Sequence, residues 1–462
     1  MTNKHLYSHP YIPNSHPNIK RQMLDEIGID SIDELFKVIP EELHFNETLN
    51  LPKALDEFRL KRHVEAILEK NESADDMINF LGAGCWQHFV PAVCDEVNQR
   101  AEFLNDYAGK TYEDFGRWQS LFEYQSLVGE LVDMDIVNNP MYDWAQAAAT
   151  SIRMAGRITG RTEFIIPKAI HPEKLVIIKN YCAPHMTLIQ VDYEKDSGQI
   201  NLAELKSKLS KNTAAIYFEN PSFLGFIEEQ GQEISDLAHE HGALSVVGVD
   251  PSSLGVLAPP AHYGADIVCG ELQPLGMHMN YGGGQAGFIA TRDEKKYVEQ
   301  YPSRMFGIAP TIEGEYGFGD VMMSRTSMRD RINGNEFIGT MTALWGITAG
   351  VYLSLLGPEG MTELGETIFQ KSKYAMKQLS TIPGVKAPLF KSAHFKEFIV
   401  DFNDTGKTVE EINKYLQENG IFGGLDLSKI FPELGECALY CVTEVHSKEA
   451  IDHLVHTINE YV

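Results

Sequence analysis

The chain has no run of about 18 consecutive apolar residues, the length a helix needs to span a bilayer. Its opening residues, M-T-N-K-H-L-Y-S-H-P, contain no apolar signal core. Both absences lead to the expectation of a cytoplasmic protein with no membrane contact. Positive charge is also scarce: 39 Lys and Arg face 65 Asp and Glu, a formal net charge of -26. Such a surface repels phosphate backbones and anionic lipid, so nucleic acid is not an expected partner. Cysteine is sparse as well. Cys85, Cys94, Cys182, Cys269, Cys437 and Cys441 show no paired metal-ligand spacing, and they read as reduced buried thiols with no metal site. No internal repeat and no low-complexity tract is seen.

The most informative absence is local. Between Ala265 and Ala286 there is no lysine. This stretch follows a β-branched run, Val246 to Val249, that ends in Asp250; a second run, Ala265 to Cys269, leads to a polar segment closed by Gly282, Gly283 and Gly284. Two buried strands are expected, with a carboxylate and a flexible loop at their C-terminal ends, where open α/β sheets bind ligands. One large enzyme class uses this layout for pyridoxal phosphate, with an Asp on the pyridinium nitrogen and a Lys on the next loop forming the Schiff base. The Asp is present here and the Lys is not.

What is present is a globular composition, 43% hydrophobic and 23% charged over 462 residues, enough for a large domain and a smaller one. Residues 1–75 read as an extension that packs on the main body or on a partner, with a helix near Ile19 to Ile27, a second near Ser31 to Val38 and a turn at I-P-E-E-L. A helix is expected over Pro91 to Asn98, another over Trp118 to Leu131, and a small-residue helix from Trp144 to Met154. Then strands (Glu163 to Ile166, Thr187 to Val191, Ala214 to Phe218, Ala243 to Val249, Ile267 to Cys269, Gly287 to Thr291) alternate with helices (His171 to Asn180, Leu202 to Leu209, Glu233 to His241). That rhythm predicts a three-layer α/β/α large domain over 76–330 with a mostly parallel sheet. Residues 331–462 predict a smaller C-terminal α/β domain. It comprises a long helix from Phe337 to Leu355 ended by Gly357-Pro358, a helix from Met361 to Leu379, strands Glu397 to Phe402 and Ala438 to Val442, and helices Val409 to Glu418 and Ser447 to Ile458.

Several residues carry two readings. Asp250 is either a pyridine-nitrogen partner or a cap on the turn at Pro251-Ser252-Ser253. Gly282-Gly283-Gly284 either lets the backbone approach an anion or simply turns before the next strand. Met141-Tyr142-Asp143-Trp144 lies where a phosphate would meet a helix N-terminus, but Trp144 is large for a phosphate cup and reads better as a core aromatic. His171 either stacks on a cofactor ring or starts a helix. The acidic pairs Glu41-Glu42, Asp75-Asp76, Glu228-Glu229 and Glu410-Glu411 read as solvated surface.

Taken together, these stretches resemble the α subunit of the two-subunit glycine decarboxylases, the P-protein of the glycine cleavage system, within the pyridoxal-phosphate-dependent transferase fold type I. The likeness runs through His9-Pro10-Tyr11-Ile12-Pro13-Asn14, Phe80-Leu81-Gly82-Ala83-Gly84, Met141-Tyr142-Asp143, Asn220-Pro221-Ser222-Phe223-Leu224-Gly225, Asp250-Pro251-Ser252-Ser253-Leu254-Gly255, Gln273-Pro274-Leu275-Gly276, Leu356-Gly357-Pro358-Glu359-Gly360 and Tyr440-Cys441-Val442-Thr443-Glu444.

The resemblance implies that pyridoxal phosphate belongs to a partner β subunit, and that Pro274 stands at the Schiff-base lysine position, leaving this chain no catalytic residue. It further implies a vestigial or partner-facing pseudo-site with Asp250, His171, Tyr142, Asp143, Gly283 and Gly284 as candidates, and a heterotetramer of two αβ pairs served by a lipoyl carrier protein. Three segments depart from the family pattern: Asp114-Phe115-Gly116, Trp144-Ala145-Gln146 and Arg331 to Phe337. They point to a divergent paralogue, which leaves two other readings beside glycine decarboxylation: a subunit of a lyase acting on another amino compound, or a non-catalytic scaffold.

Overall fold

The computed structural model describes residues 11–462 except 46, 48, 104–114, 328, 337, 339 and 340. The chain divides into two compact units, one up to Asn71 and one from Glu72 to Val462.

The first unit holds the expected helix, Pro17–Ile27, started by the His16 side chain accepting from the Asn18 N–H and stopped by Gly28 at φ 81°. The second expected helix is only a 3₁₀ turn, Ile32–Phe36. Pro40 disfavours helical geometry at Ile39, so the segment cannot extend. A helix not expected, Glu57–Leu68, begins at Asp56, whose side chain accepts from the Arg59 N–H.

The second unit is built on a seven-stranded sheet. Its strands are β1 (Ile136–Val137), β2 (Glu163–Pro167), β3 (Thr187–Val191), β4 (Thr213–Glu219), β5 (Leu244–Val249), β6 (Ile267–Glu271) and β7 (Gly287–Thr291), in the order β1-β7-β6-β5-β4-β2-β3. The pairs from β6 through β3 are parallel, β7 is antiparallel to β6, and the edge strand β1 is antiparallel to β7. Alternate side chains go to opposite faces. Phe164, Ile166, Tyr217, Val246, Cys269 and Ile289 pack against helix Trp144–Thr159, while Ile165, Ile216, Phe218 and Val247 form a separate cluster with Ile234 and Ala238 of helix Gly231–Glu240. Burial on both faces is why these strands read as continuous apolar runs. The alanines of Trp144–Thr159 let that helix lie close on the sheet, with eleven of its residues buried.

The C-terminal part holds a three-stranded antiparallel sheet, β8 (Glu397–Asp401), β9 (Leu425–Asp426) and β10 (Cys437–Cys441), ordered β8-β10-β9, with helices Val409–Glu418 and Lys448–Tyr461. Ile78–Asn79 pairs in parallel with Ile421–Phe422. A β-hairpin, Phe306–Pro310 with Tyr316–Asp320, was not expected. The two long helices form one span, Ala343–Leu379, broken where Gly357 adopts φ 60°, ψ -175° before Pro358. The span begins at Ala343 rather than Phe337; Phe337 lies outside the described residues, and Thr342 donates its hydroxyl to the Met141 carbonyl at 2.7 Å.

Candidate functional site

Parallel strands that start on one edge also finish on one edge, so their last residues converge. β4 ends in Glu219, β5 runs into Asp250, β6 ends in Glu271, and the chain beyond β2 turns at His171. These four residues line a cavity of about 290 Å³, with Ala83 to Trp86 and Phe395 to Glu397 on its other walls.

Asp250 is engaged on both oxygens. Ser252 donates its backbone N–H (3.1 Å) and hydroxyl (2.8 Å) to Oδ1, and Lys396 places Nζ 2.7 Å from Oδ2. Lys396 comes from the residue before β8, and both side chains are nearly fully buried. Its ammonium also reaches Ser252 Oγ at 3.3 Å and His88 Nε2 at 3.2 Å, and it lies 3.6 Å from the centre of the Trp86 ring. With Nε2 accepting from the lysine, His88 carries its proton on Nδ1 and donates to Glu444 at 2.8 Å. Burial would raise Glu444, but the His88 contact and the Phe89 N–H outweigh it and hold the carboxyl at about 2.

Trp144 fills the next part of the site. Its ring is buried, with the Lys174 ammonium 3.3 Å from its centre. Lys174 pairs with Glu219 at 2.6 Å, and Glu219 also accepts from Tyr217 OH at 2.7 Å. Behind the indole lies Gly248, where a Cβ would meet Trp144 Cζ2 at 2.8 Å and Tyr217 OH at 2.7 Å. The core-aromatic reading of Trp144 therefore describes the structure, and the same ring borders the cavity.

Two of the first N–H groups of helix Trp144–Thr159 are taken from within the chain. Asp143 accepts from the Gln146 N–H at 2.7 Å, and Glu271 accepts from the N–H groups of Trp144 (3.2 Å), Gln273 (3.2 Å) and Ala286 (2.5 Å). Burial pushes Glu271 up to about 8, and the three donors oppose that rise. Gln146 Oε1 accepts from the Tyr142 N–H at 2.9 Å.

His171 caps helix Pro172–Cys182 by accepting the Glu173 N–H on Nδ1 at 3.1 Å, and it meets Phe223 edge-on at 5.0 Å. Burial, with Lys174 nearby, lowers its pKa to about 4. Glu397 accepts the Ala83 N–H at 2.6 Å, and burial raises it to about 7. Cys85, at the cavity wall, has its thiol pushed up to about 11 by burial and by Glu271.

Of the six candidates read from the sequence, Asp250, His171 and Asp143 come together at the cavity. Tyr142 is half exposed outside the lining. Gly283 and Gly284 form a turn, donating to the Asn280 and Met279 carbonyls. Pro274 is buried beyond β6. Among the acidic pairs, Glu228 departs from the surface reading: it is buried and accepts the Ile200 N–H at 2.9 Å.

The family described as "Glycine cleavage system P-protein" matches residues 9–458. The "Probable glycine dehydrogenase (decarboxylating) subunit 1" of Staphylothermus marinus is 40% identical over 464 residues, covering 98% of each chain. The chain belongs to the glycine cleavage system P-protein family. A crystal structure of a glycine decarboxylase P-protein in inhibitor-bound form matches with a TM-score of 0.83 at 31% identity, over 96% of this chain and 98% of that one. A sphingosine-1-phosphate lyase of Burkholderia pseudomallei shares the fold alone, with a TM-score of 0.63 at 15% identity over 91% of this chain and 94% of its own. The architecture is that of the pyridoxal-phosphate-dependent fold type I.

This P-protein family member does not offer pyridoxal phosphate a fitting site. Its Asp250 is already paired with Lys396, and the N–H groups of Trp144 and Gln146 are taken by Glu271 and Asp143. The segment that would supply a Schiff-base lysine contains none. Other lysines in the large α/β part lie elsewhere: Lys168 is on Asp192 at 2.7 Å, and Lys295 and Lys296 are exposed. Sequence reasoning missed Lys174 and Lys396. The one available signal was a lysine, Lys396, directly before an apolar strand.

Proposed function

We propose that this chain is the non-lysine α subunit of a two-subunit glycine decarboxylase (aminomethyl-transferring) of the glycine cleavage system, completing the site of a β subunit that binds pyridoxal phosphate. The observation that carries this reading is Lys396 on Asp250: the feature that would hold a cofactor ring is held by the protein itself. The words "subunit 1" in the name of the Staphylothermus relative support a partner chain. Loss of CO2 from glycine and passage of the aminomethyl group to a lipoyl carrier protein belong to the partner's site. This chain supplies architecture and part of the access channel, and is inactive alone.

In this assignment residues 1–75 are an extension that packs on the main body or the partner, 76–330 form the large domain and 331–462 the small one. Exposed Leu35, Phe36, Leu43 and Phe45 support docking of the extension. Two αβ pairs assemble into a cytoplasmic heterotetramer. The test is co-expression with a lysine-bearing partner, followed by glycine-dependent exchange of labelled bicarbonate into the glycine carboxyl group. Exchange that requires both chains is expected. Activity of this chain alone, or a cofactor-loaded complex silent with glycine, would overturn the reading.

A further inference from the structure

We propose that Lys396 is an intramolecular ligand of Asp250, a cation built into the chain at a site whose geometry otherwise calls for a bound protonated amine or heterocycle. A buried ammonium has three protons to place, and Lys396 has three acceptors, Asp250 Oδ2, His88 Nε2 and Ser252 Oγ, plus the Trp86 ring face. The acceptors are themselves braced. Ser252 is tied to Asp250 Oδ1, His88 to Glu444, and the Trp86 backbone is held on both sides by Gln273, which accepts from its N–H at 3.0 Å and donates to its carbonyl at 2.9 Å.

The pocket is thus shaped for one compact ammonium. The bonds tie the strand end at Asp250 to the small-domain strand behind Lys396, so the ligand also pins the two layers together. The carboxyl oxygens of Glu271 and Asp143 play the matching part at the helix N-terminus, taking N–H groups that an external anion would need. The inference does not depend on which substrate the partner uses.

It predicts the class of ligand that the emptied site takes. Lys396 and Asp250 both line the cavity, so truncating the lysine opens an acidic hole to solvent. Such a hole suits a short primary alkylammonium ion.

The experiment uses the purified full chain carrying Lys396→Ala, with thermal midpoint and calorimetric binding of n-propylammonium as readouts. A loss in midpoint of about 3–5 °C is expected from breaking a buried pair in a chain of this length. Added n-propylammonium should restore at least half of it, whereas equal tetramethylammonium or sodium chloride should not. Wild type should show neither the response nor an absorbance change with pyridoxal phosphate. Recovery no better than with salt, an unchanged midpoint, or pyridoxal phosphate bound by wild type would each overturn the proposal. Asp250→Asn with Lys396→Met, which removes both charges, guards against simple misfolding. It should fold and ignore the amine. Failure of that double variant as severe as that of Lys396→Ala, with the stem kept and both charges gone, would show that the loss does not come from an unpaired Asp250, and would also overturn it.

Discussion

The Lys174 ammonium sits 3.3 Å from the centre of the Trp144 ring while pairing with Glu219 at 2.6 Å. A cation over a desolvated indole contributes about 2 kcal/mol. The contact is possible only because Gly248 leaves room behind the ring.

Gly248→Ala should therefore destabilise the chain by about 1–3 kcal/mol, as overpacking does. The added Cβ would meet Trp144 at 2.8 Å and Tyr217 OH at 2.7 Å. Pairing it with Trp144→Phe should recover part of the loss, read as thermal midpoint. A Gly248→Ala chain as stable as wild type would refute the packing argument.

Two cavity residues should respond to pH with opposite signs. Glu397 holds its proton up to about 7, above its ordinary value of 4.5, so between those values the folded chain keeps a proton the unfolded chain has released. Its contribution falls as pH rises through that window. His171, lowered to about 4 from 6.5, stays neutral when folded while the unfolded chain takes up a proton, so its contribution falls as pH drops from 6.5 towards 4. Glu397→Gln should gain on wild type as pH rises, and His171→Asn should gain as pH falls. Parallel midpoint curves from pH 4 to 8 would contradict both assignments.

Glu336 anchors the segment ahead of helix Ala343–Leu379. Its buried carboxylate pairs with Arg157 at 2.9 Å and Arg153 at 3.5 Å, both on helix Trp144–Thr159. Glu336→Ala leaves two partly buried guanidinium groups without this partner and should cost about 3 kcal/mol. Chemical denaturation measures this, and a loss below about 0.5 kcal/mol would place the ion pairs among inert surface pairs.

Cys85 should alkylate slowly although it faces the cavity. With its thiol at about 11 rather than 9.0, the thiolate fraction at pH 8 drops about 100-fold, and the thiolate is the reactive form. Peptide mass mapping of iodoacetamide-treated protein should show Cys85 lagging a free-thiol peptide by that factor. An equal rate would mean that the thiol is not held in this buried environment.

The alternation of strands and helices was legible because it is local and periodic. A parallel strand buried on both faces is a short β-branched run, as at Val246 to Val249, and a helix start is a side chain close to its own N–H groups, as at Asp143 and His171. The position of Asp250 at a strand end and the missing lysine were legible for the same reason. What occupies Asp250 was not. Lys396 and His88 lie 308 positions apart, and they meet only because the small-domain strand is brought against the ends of β4, β5 and β6. Trp144 likewise read as a core aromatic, while the sequence could not say that Lys174 lies over it or that Gly248 lies under it. By itself the sequence determined the alternation of strands and helices in the large domain and the absence of a Schiff-base lysine. Tertiary structure alone decided which charges neutralise one another, because a buried charge must find a partner in space and no local pattern records where the chain will cross.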